Sequence, residues 1–254
     1  MNINPLDIKR EIEKEFKEAP ILQRGRSNKN MKNPKAKAWF GFVVTIVLVG
    51  LALFLSAGTT HYWQAWVFLA IVIVTSIPIT QYITNDPILL ANRTKGGPTI
   101  EQRPIQKIIV WALGTPLIAT FIVPGLDYRF GWSSVPSWLS IAGDILIIVS
   151  MWMVYWVFKA NSFGSATVEI SKEQKVISTG PYAIVRNPMY SCAMVFFIGM
   201  SLALGSYWGI VPSILVTLGF VWRLFDEEKF LAQNLSGYKE YCAKVRWHLI
   251  PGIF

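Results

Sequence analysis

The sequence predicts an all-α, polytopic integral membrane protein, and three observations lead to this fold class. Only 15% of the 254 residues are charged, whereas soluble domains carry about a quarter. Four long segments contain no charged residue, and a fifth contains a single acid. Nearly all the basic residues fall on one side of the membrane that these segments would span. A soluble protein with buried helices is the alternative, and uncharged segments of this length argue against it.

The uncharged segments divide into six predicted transmembrane helices. About twenty apolar residues span a bilayer as an α-helix, so most of the segments form one span each. The segment 187–222 has 36 residues, which is too long for one span, and "ALGSYWG" at 203–209 breaks it into a tight helical hairpin. The predicted spans lie near 38–57, 63–84, 108–124, 137–158, 189–204 and 208–224.

The distribution of lysine and arginine predicts the orientation. With six spans both termini share one side, and 23 of the 24 basic residues fall there, with only Arg129 on the other. Basic residues are enriched in cytoplasmic loops, so both termini are expected to be cytoplasmic. The same distribution accounts for the net charge of +9. Because these charges flank membrane spans and do not form a basic patch with elements that could contact bases, nucleic-acid binding is not expected.

Three regions follow from this topology: a basic cytoplasmic segment at 1–37, N-terminal membrane helices at 38–136, and a domain at 137–254 with a cytoplasmic tail. Within the first, residues 1–19 are expected to form a short amphipathic helix. The loop 85–107 is interpreted as a solvated face, with a lid as the alternative. The segment 160–178 is expected to form a short hairpin or paired extended segments.

The tail is predicted to be a cytoplasmic amphipathic helix. Apolar and aromatic residues recur in it every three or four positions, which is the stripe of such a helix. Gly237 is expected to interrupt the helix. Tyr238 and Tyr241 are assigned to packing, His248 to the surface, and Asp144, the acid within span four, to helix packing.

Two dense polar segments hold the candidate chemistry, and both lie at the predicted cytoplasmic face. They are residues 180–190 and 226–241, and the hairpin of spans five and six brings them together. Arg186 is then within reach of Glu227 and Glu228. Such a site suits a polar cofactor, with Arg186 binding a carboxylate and either glutamate accepting from an amine or a ribose hydroxyl. Two cysteines and two histidines, far apart, give no metal-ligand spacing, so no metal is expected.

The motifs "TGPYAIVRNPMY" and, after the hairpin, "EEKFL…GYKEYCAKVRWHLIP" resemble the isoprenylcysteine carboxyl methyltransferase and phospholipid N-methyltransferase superfamily. Its usual pattern is close to GPYxxxRHPxY followed by EExxL, and the resemblance covers roughly residues 140–254. It implies an integral membrane methyltransferase that uses S-adenosylmethionine and acts on a lipid or other hydrophobic acceptor. It also implies a cofactor site formed by Gly180, Pro181, Tyr182, Arg186, Asn187, Pro188, Tyr190, Glu227 and Glu228.

The match has one departure that bears on chemistry. Asn187 stands where the superfamily has histidine, and an amide cannot carry a proton or a positive charge. Arg186, Glu227 and Glu228 are the predicted catalytic residues. Because Asn187 cannot accept a proton, Glu227 or Glu228 is the leading candidate for a base where the acceptor must lose one.

The same residues leave two other functions open. A sterol-type membrane reductase using NADPH has a broadly similar C-terminal half. The residues of the "TGPY…RNPMY" motif and the adjacent Glu227 and Glu228 favour the methyltransferase. A non-catalytic membrane protein that retains the scaffold is the third possibility, and Asn187 is its best support. Arg186 would then serve only as a positive-inside anchor.

Overall fold

The computed structural model describes residues 33–93, 103–162 and 176–253. The predicted helix at 1–19, most of the basic N-terminal segment, the Gly-Gly-Pro of the 85–107 loop and the centre of 160–178 lie outside the described residues. The chain divides into two units, Met1–Pro34 and Lys35–Phe254, and the second contains the helical bundle.

The described residues are organised almost entirely as helices. In chain order they form α1 (Pro34–Ala57), α2 (Trp63–Asn85), α3 (Pro87–Arg93), α4 (Pro104–Phe130), α5 (Ser137–Ala160), a 3-10 turn (Gly180–Ala183), α6 (Pro188–Ala203), α7 (Ile210–Asn234) and α8 (Tyr238–Lys244). The all-α class predicted from the sequence is confirmed.

Four helices, α1, α2, α4 and α5, are long and apolar enough to cross a membrane. The fifth predicted span corresponds to α6, an apolar helix of 16 residues, and the sixth to the first part of α7. The predicted break between them is confirmed, since α6 ends at Ala203 and α7 begins at Ile210. Gly205 in this connection has φ +66°, a backbone conformation that favours glycine.

The helix pairs α5–α6 and α4–α7 make the most extensive contacts, and α2 packs on α5. α5 and α6 approach closely at Gly143 and Gly199, because a Cβ on Gly143 would collide with the backbone of α6. Small residues at a crossing allow two backbones to meet, as is common in membrane helices. This crossing fixes the position of α6, whose first turn carries the end of the "RNPMY" motif.

The core lies between α1, α2, α5 and α6, where side chains such as Leu53, Phe68, Ile147 and Met200 are fully buried. The outward faces are also apolar. They expose large side chains such as Leu55, Trp111, Trp138 and Leu218, as expected for helices whose solvent is lipid.

α7 continues without interruption through the acidic residues 226–228 to Asn234. Its 25 residues extend about 37 Å at 1.5 Å per residue, which exceeds the thickness of a hydrocarbon core. The sequence predicted a span ending near 224 and a separate tail helix, and this division is wrong. Helix breakers are absent between Phe220 and Asn234, so the helix continues past the predicted end of the sixth span.

The predicted interruption at Gly237 is confirmed: it has φ +80° and precedes α8. The apolar stripe is also confirmed, because Leu231, Leu235, Tyr238 and Tyr241 pack together with other residues of the tail. The tail therefore folds back as a compact unit against the end of the bundle.

Asp127 organises the opposite end of the bundle, which we call the hairpin end because the α6–α7 connection lies there. Its carboxylate accepts hydrogen bonds from Ser133 N (2.7 Å), Ser133 Oγ (2.6 Å) and Ser206 Oγ (2.5 Å). Ser133 Oγ in turn accepts from Tyr207 N. One buried carboxylate thus ties the end of α4, the following loop and the hairpin together.

Candidate functional site

The segment 179–190 crosses the other end of the bundle, which we call the motif end. Its first residues form a 3-10 turn that begins at Gly180, with φ +59°. Pro188 occupies the first turn of α6, where a missing N–H leaves no unpaired donor. Asn187 precedes it in a non-helical conformation, so Arg186 and Asn187 lie in a short irregular stretch between the turn and the helix.

The C-terminal tail runs alongside this stretch and is held to it by backbone hydrogen bonds. Arg186 N donates to Trp247 O (2.9 Å), and Asn187 N donates to His248 O (3.1 Å). Ser191 Oγ donates to Leu249 O (2.7 Å). The tail therefore forms one wall of the site.

The guanidinium of Arg186 is directed at the tail and at the acidic run. Its Nε donates to Val245 O (2.7 Å) and its Nη2 to Cys242 O (2.9 Å), while Nη1 lies 3.5 Å from Glu228 Oε2. Only 14% of the side chain is exposed. At least three of its five N–H groups thus have partners within the protein, and Arg186 links the motif to both C-terminal elements.

Glu228 is the centre of a largely buried polar group, the Glu228 cluster, consisting of Arg186, Asn187, Glu228 and His248. Asn187 Nδ2 donates to Glu228 Oε1 (2.5 Å), and His248 Nδ1 lies 2.9 Å from Glu228 Oε2. The assignment of His248 to the surface is therefore only partly correct, because a quarter of its side chain is exposed but its ring contacts Glu228. Its position could not be read from the sequence, because the contact joins residues twenty positions apart across a reversal of the chain.

Glu227 belongs to a second group of side chains. Successive residues on an α-helix diverge by about 100°, so Glu227 and Glu228 face different neighbours. Tyr190 Oη donates to Glu227 Oε2 (2.7 Å). The adjacent carboxylates are thus distinguished: Glu228 holds Asn187 and the tail, and Glu227 faces the first turn of α6.

Tyr182 lies close to Glu227 and is held from two sides. Its hydroxyl accepts from Asn161 Nδ2 (3.1 Å) at the end of α5. Its carbonyl accepts from Tyr241 Oη (2.7 Å). Burial raises the pKa of Tyr182, and the charge of Glu227 adds to this, so the hydroxyl stays protonated at neutral pH.

Two arginines complete this group, and neither is among the site residues predicted from the sequence. Arg223 hydrogen-bonds with Tyr190 from α7. Arg93, the last residue of α3, interacts electrostatically with Tyr182 and Glu227. We call Arg93, Asn161, Tyr182, Tyr190, Arg223 and Glu227 the Glu227 cluster. The sequence offered one signal, the position of Arg223 one helical turn before Glu227, but for Arg93 it offered none.

Asp226, the third acid of the run, turns toward α4. It forms an ion pair with Arg103 Nη1 (2.6 Å) and accepts a hydrogen bond from Gln106 Nε2. The interpretation of the 85–107 loop as a solvated face is therefore wrong for Arg93 and Arg103, both of which contact the bundle. Arg93 and Arg103 thus connect the end of α3 and the start of α4 to the bundle.

In the part of the chain that the structure describes, no three His, Cys, Asp or Glu side chains lie close enough together to hold a metal ion. Asp144 is buried within α5, about 24 Å from its end at Ala160 by helical rise. Its distance from the motif end separates it from the two glutamate clusters.

Comparison with known families agrees with the motifs. Residues 138–237 match the phospholipid methyltransferase family. The matched region includes all but the first residue of α5, the "GPYAIVRNPMY" segment, the helical hairpin and both glutamates. No curated protein matches the chain significantly. The resemblance inferred from the motifs is thus confirmed for this region, and the family indicates a membrane methyltransferase.

Proposed function

We propose that this protein is a membrane methyltransferase that transfers a methyl group from S-adenosylmethionine to a membrane-embedded or hydrophobic acceptor. The acceptor classes are an isoprenylcysteine-like carboxylate, a phospholipid amine or a small thiol. The observation that carries the proposal is the meeting of the two family motifs: Tyr190 binds Glu227 and Asn187 binds Glu228 across the hairpin.

The residues at the motif end fit this cofactor chemically. S-adenosylmethionine presents a carboxylate, an ammonium and ribose hydroxyls. A carboxylate has about four acceptor sites, so Glu227 can accept from the ammonium or a ribose hydroxyl as well as from Tyr190. Guanidinium groups suit the carboxylate. We assign the cofactor site to residues 180–190, with Gly180, Pro181, Tyr182, Arg186, Asn187, Pro188 and Tyr190 as its predicted members, together with Glu227 and Glu228.

In methyl transfer from a sulfonium, the protein mainly has to position the donor and the acceptor and to exclude water. The sulfonium of the bound cofactor carries an already activated methyl group. Tyr182, Tyr190 and Glu227 orient the ligand groups, and the tail docked on Arg186 excludes water from one side. Where the acceptor must lose a proton, we assign that role to Glu227. Glu228 is engaged by Arg186 and His248, which suits it to holding the site together.

Ligand binding tests the proposal directly. Isothermal titration of the purified protein in detergent is expected to show binding of S-adenosylhomocysteine and none of NADPH. Labelled methyl transfer into a membrane lipid extract and a panel of small thiols then identifies the acceptor class. Binding of NADPH without S-adenosylhomocysteine would assign the protein to the reductases, and binding of neither would support a non-catalytic scaffold.

We also propose that the motif end and both termini are cytoplasmic. The support is the charge distribution, since Arg129, the exception among 24 basic residues, lies beside Gly58 at the hairpin end. Protease added to sealed inside-out vesicles should cleave the termini and the 159–187 loop, while right-side-out vesicles protect them. The opposite pattern would reverse the orientation.

A further inference from the structure

We propose that Arg93 is an anion-binding residue of this site, holding a pair of ligand oxygens that belong either to a carboxylate or to a phosphate. The inference rests on the proposed function, because it assigns the ligand group to a site that the family motifs define. Arg93 lies outside those motifs and outside the matched region.

The local structure places Arg93 firmly. Asp86 Oδ1 accepts from Leu89 N (3.0 Å) and so caps the start of α3. Leu89 itself is fully buried, and Asn92 Nδ2 donates to Ser162 O (3.5 Å) beyond the end of α5. The seven-residue helix is therefore fixed at both ends, and Arg93 is held at the motif end of the bundle.

The surroundings of Arg93 leave its hydrogen bonding incomplete. Its Cζ lies 4.5 Å from the centroid of the Phe158 ring, an aromatic contact that guanidinium groups favour. Its Nε is buried and has no hydrogen-bond partner among the residues that the structure describes. A buried donor without a partner is unfavourable, and a ligand oxygen would satisfy it.

The charges around Arg93 favour an anion. Each of the other two carboxylates of the acidic run is paired with its own arginine, Asp226 with Arg103 and Glu228 with Arg186. Glu227 interacts electrostatically with Arg93, and its partner Tyr190 hydrogen-bonds with Arg223. Among the six residues of the Glu227 cluster two are cationic and one is anionic, so the cluster itself is more attractive to an anion than to a cation.

The ligand chemistry follows from the guanidinium. Its planar fork binds carboxylate and phosphate oxygens in pairs. Two ligands of the proposed reaction supply such groups: the carboxylate of the methyl donor and the phosphate of a lipid headgroup. The experiment below separates these two sources of the anion.

The test compares wild type, Arg93→Gln and Arg93→Lys in detergent by isothermal titration with three probes. These are S-adenosylhomocysteine, its decarboxylated analogue, and a short-chain phosphatidylethanolamine. If the donor carboxylate is the anion, Arg93→Gln weakens S-adenosylhomocysteine binding about ten- to a hundredfold and leaves the decarboxylated analogue unchanged. If a headgroup phosphate is the anion, the same loss appears with the phospholipid alone. Arg93→Lys recovers part of the affinity in either case.

Arg246→Gln is the matched control, since this arginine lies at the same end and is exposed. It should leave all three affinities unchanged. Thermal unfolding of each variant separates a loss of binding from a loss of structure. Equal affinities for wild type and Arg93→Gln with every probe that wild type binds would overturn the role of Arg93. Failure of wild type to bind S-adenosylhomocysteine would overturn the proposed function, and the phospholipid arm would still test Arg93. Binding of none of the probes would reject both.

Discussion

Buried carboxylates organise both ends of this molecule, but with different partners. Asp127 at the hairpin end accepts from two serine side chains and a backbone N–H, all of them neutral. Glu228 at the motif end accepts from an amide and lies against a guanidinium and an imidazole. The first joins neighbouring loops. The second joins the sequence motif, the acidic run and the C-terminal tail.

The charge of the partners distinguishes a carboxylate with a purely structural role from one that forms part of a binding site. Neutral donors satisfy the oxygens of Asp127, and none of these partners carries a charge that could act on a ligand. At the motif end, the pairing of Glu228 leaves its neighbour Glu227 among arginines and tyrosines. Replacing Glu228 should therefore disturb both folding and binding, whereas replacing Asp127 should disturb folding alone.

The largest effect is expected for Glu228→Ala. It removes the acceptor of Asn187 and the charge partner of Arg186, both of which are largely buried, and breaking such a pair costs about 3 kcal/mol. Thermal unfolding in detergent should show the loss of stability, and binding of S-adenosylhomocysteine should disappear. Glu240→Ala, at an exposed position of α8, is the control. Full affinity in Glu228→Ala would remove the cluster from the binding site.

The next effect concerns Arg186→Ala, which should weaken S-adenosylhomocysteine binding about ten- to a hundredfold. Arg186→Lys should recover affinity only in part, because an ammonium keeps the charge but loses the fork that reaches Val245 O and Cys242 O together. Isothermal titration measures both variants. If Lys replaced Arg without loss, Arg186 would be a topological anchor instead.

The reactivity of Cys242 shows how Arg186 acts. Burial raises the pKa of this thiol, and the charge of Arg186 lowers it, so little thiolate is present at pH 7 and maleimide labelling should be slow. In a Cys192→Ser background, Arg186→Ala should speed labelling severalfold if the tail detaches. Exposure of Cys242 would then remove the burial that raises its pKa, and burial acts more strongly on this pKa than the charge of Arg186. With the tail still docked, loss of the positive charge would slow labelling, and Arg186 would then act on the ligand itself.

A smaller effect is expected for Asp127→Asn. The substitution replaces one acceptor oxygen by a donor facing serine hydroxyls, which should cost about 1–2 kcal/mol. Chemical or thermal unfolding should register that loss, while affinity for S-adenosylhomocysteine stays at the wild-type value. A drop in affinity comparable to that of Arg186→Ala would mean that the two ends of the bundle are coupled.

The smallest effect is expected for Tyr190→Phe. It removes the hydrogen bond from the phenol to Glu227 and keeps the ring, so affinity should fall about fivefold, equivalent to about 1 kcal/mol. Tyr207→Phe at the hairpin end is the matched control and should bind normally. Identical titration curves for wild type and Tyr190→Phe would place the ligand away from this side of Glu227.

The sequence by itself determined the all-α class, the long apolar helices and the local shape of the motif. Uncharged segments of about twenty residues have few stable environments other than a bilayer, and Gly180 and Pro188 set the turn and the start of α6 through their own backbone preferences. The family resemblance also depended only on local sequence, because each motif is a short stretch of residues and the two motifs follow one another in the expected order along the chain.

Tertiary structure alone decided how the polar side chains are shared. That Glu228 binds His248 while Glu227 faces Tyr190 depends on the uninterrupted course of α7 and on the return of the tail, which no local pattern records. Arg93 reaches the Glu227 cluster from more than a hundred residues away, through the packing of α3 on α2 and α5. Local sequence fixes backbone preference and hydrophobic period, whereas the pairing of buried charges is settled by which helices the folded core brings side by side.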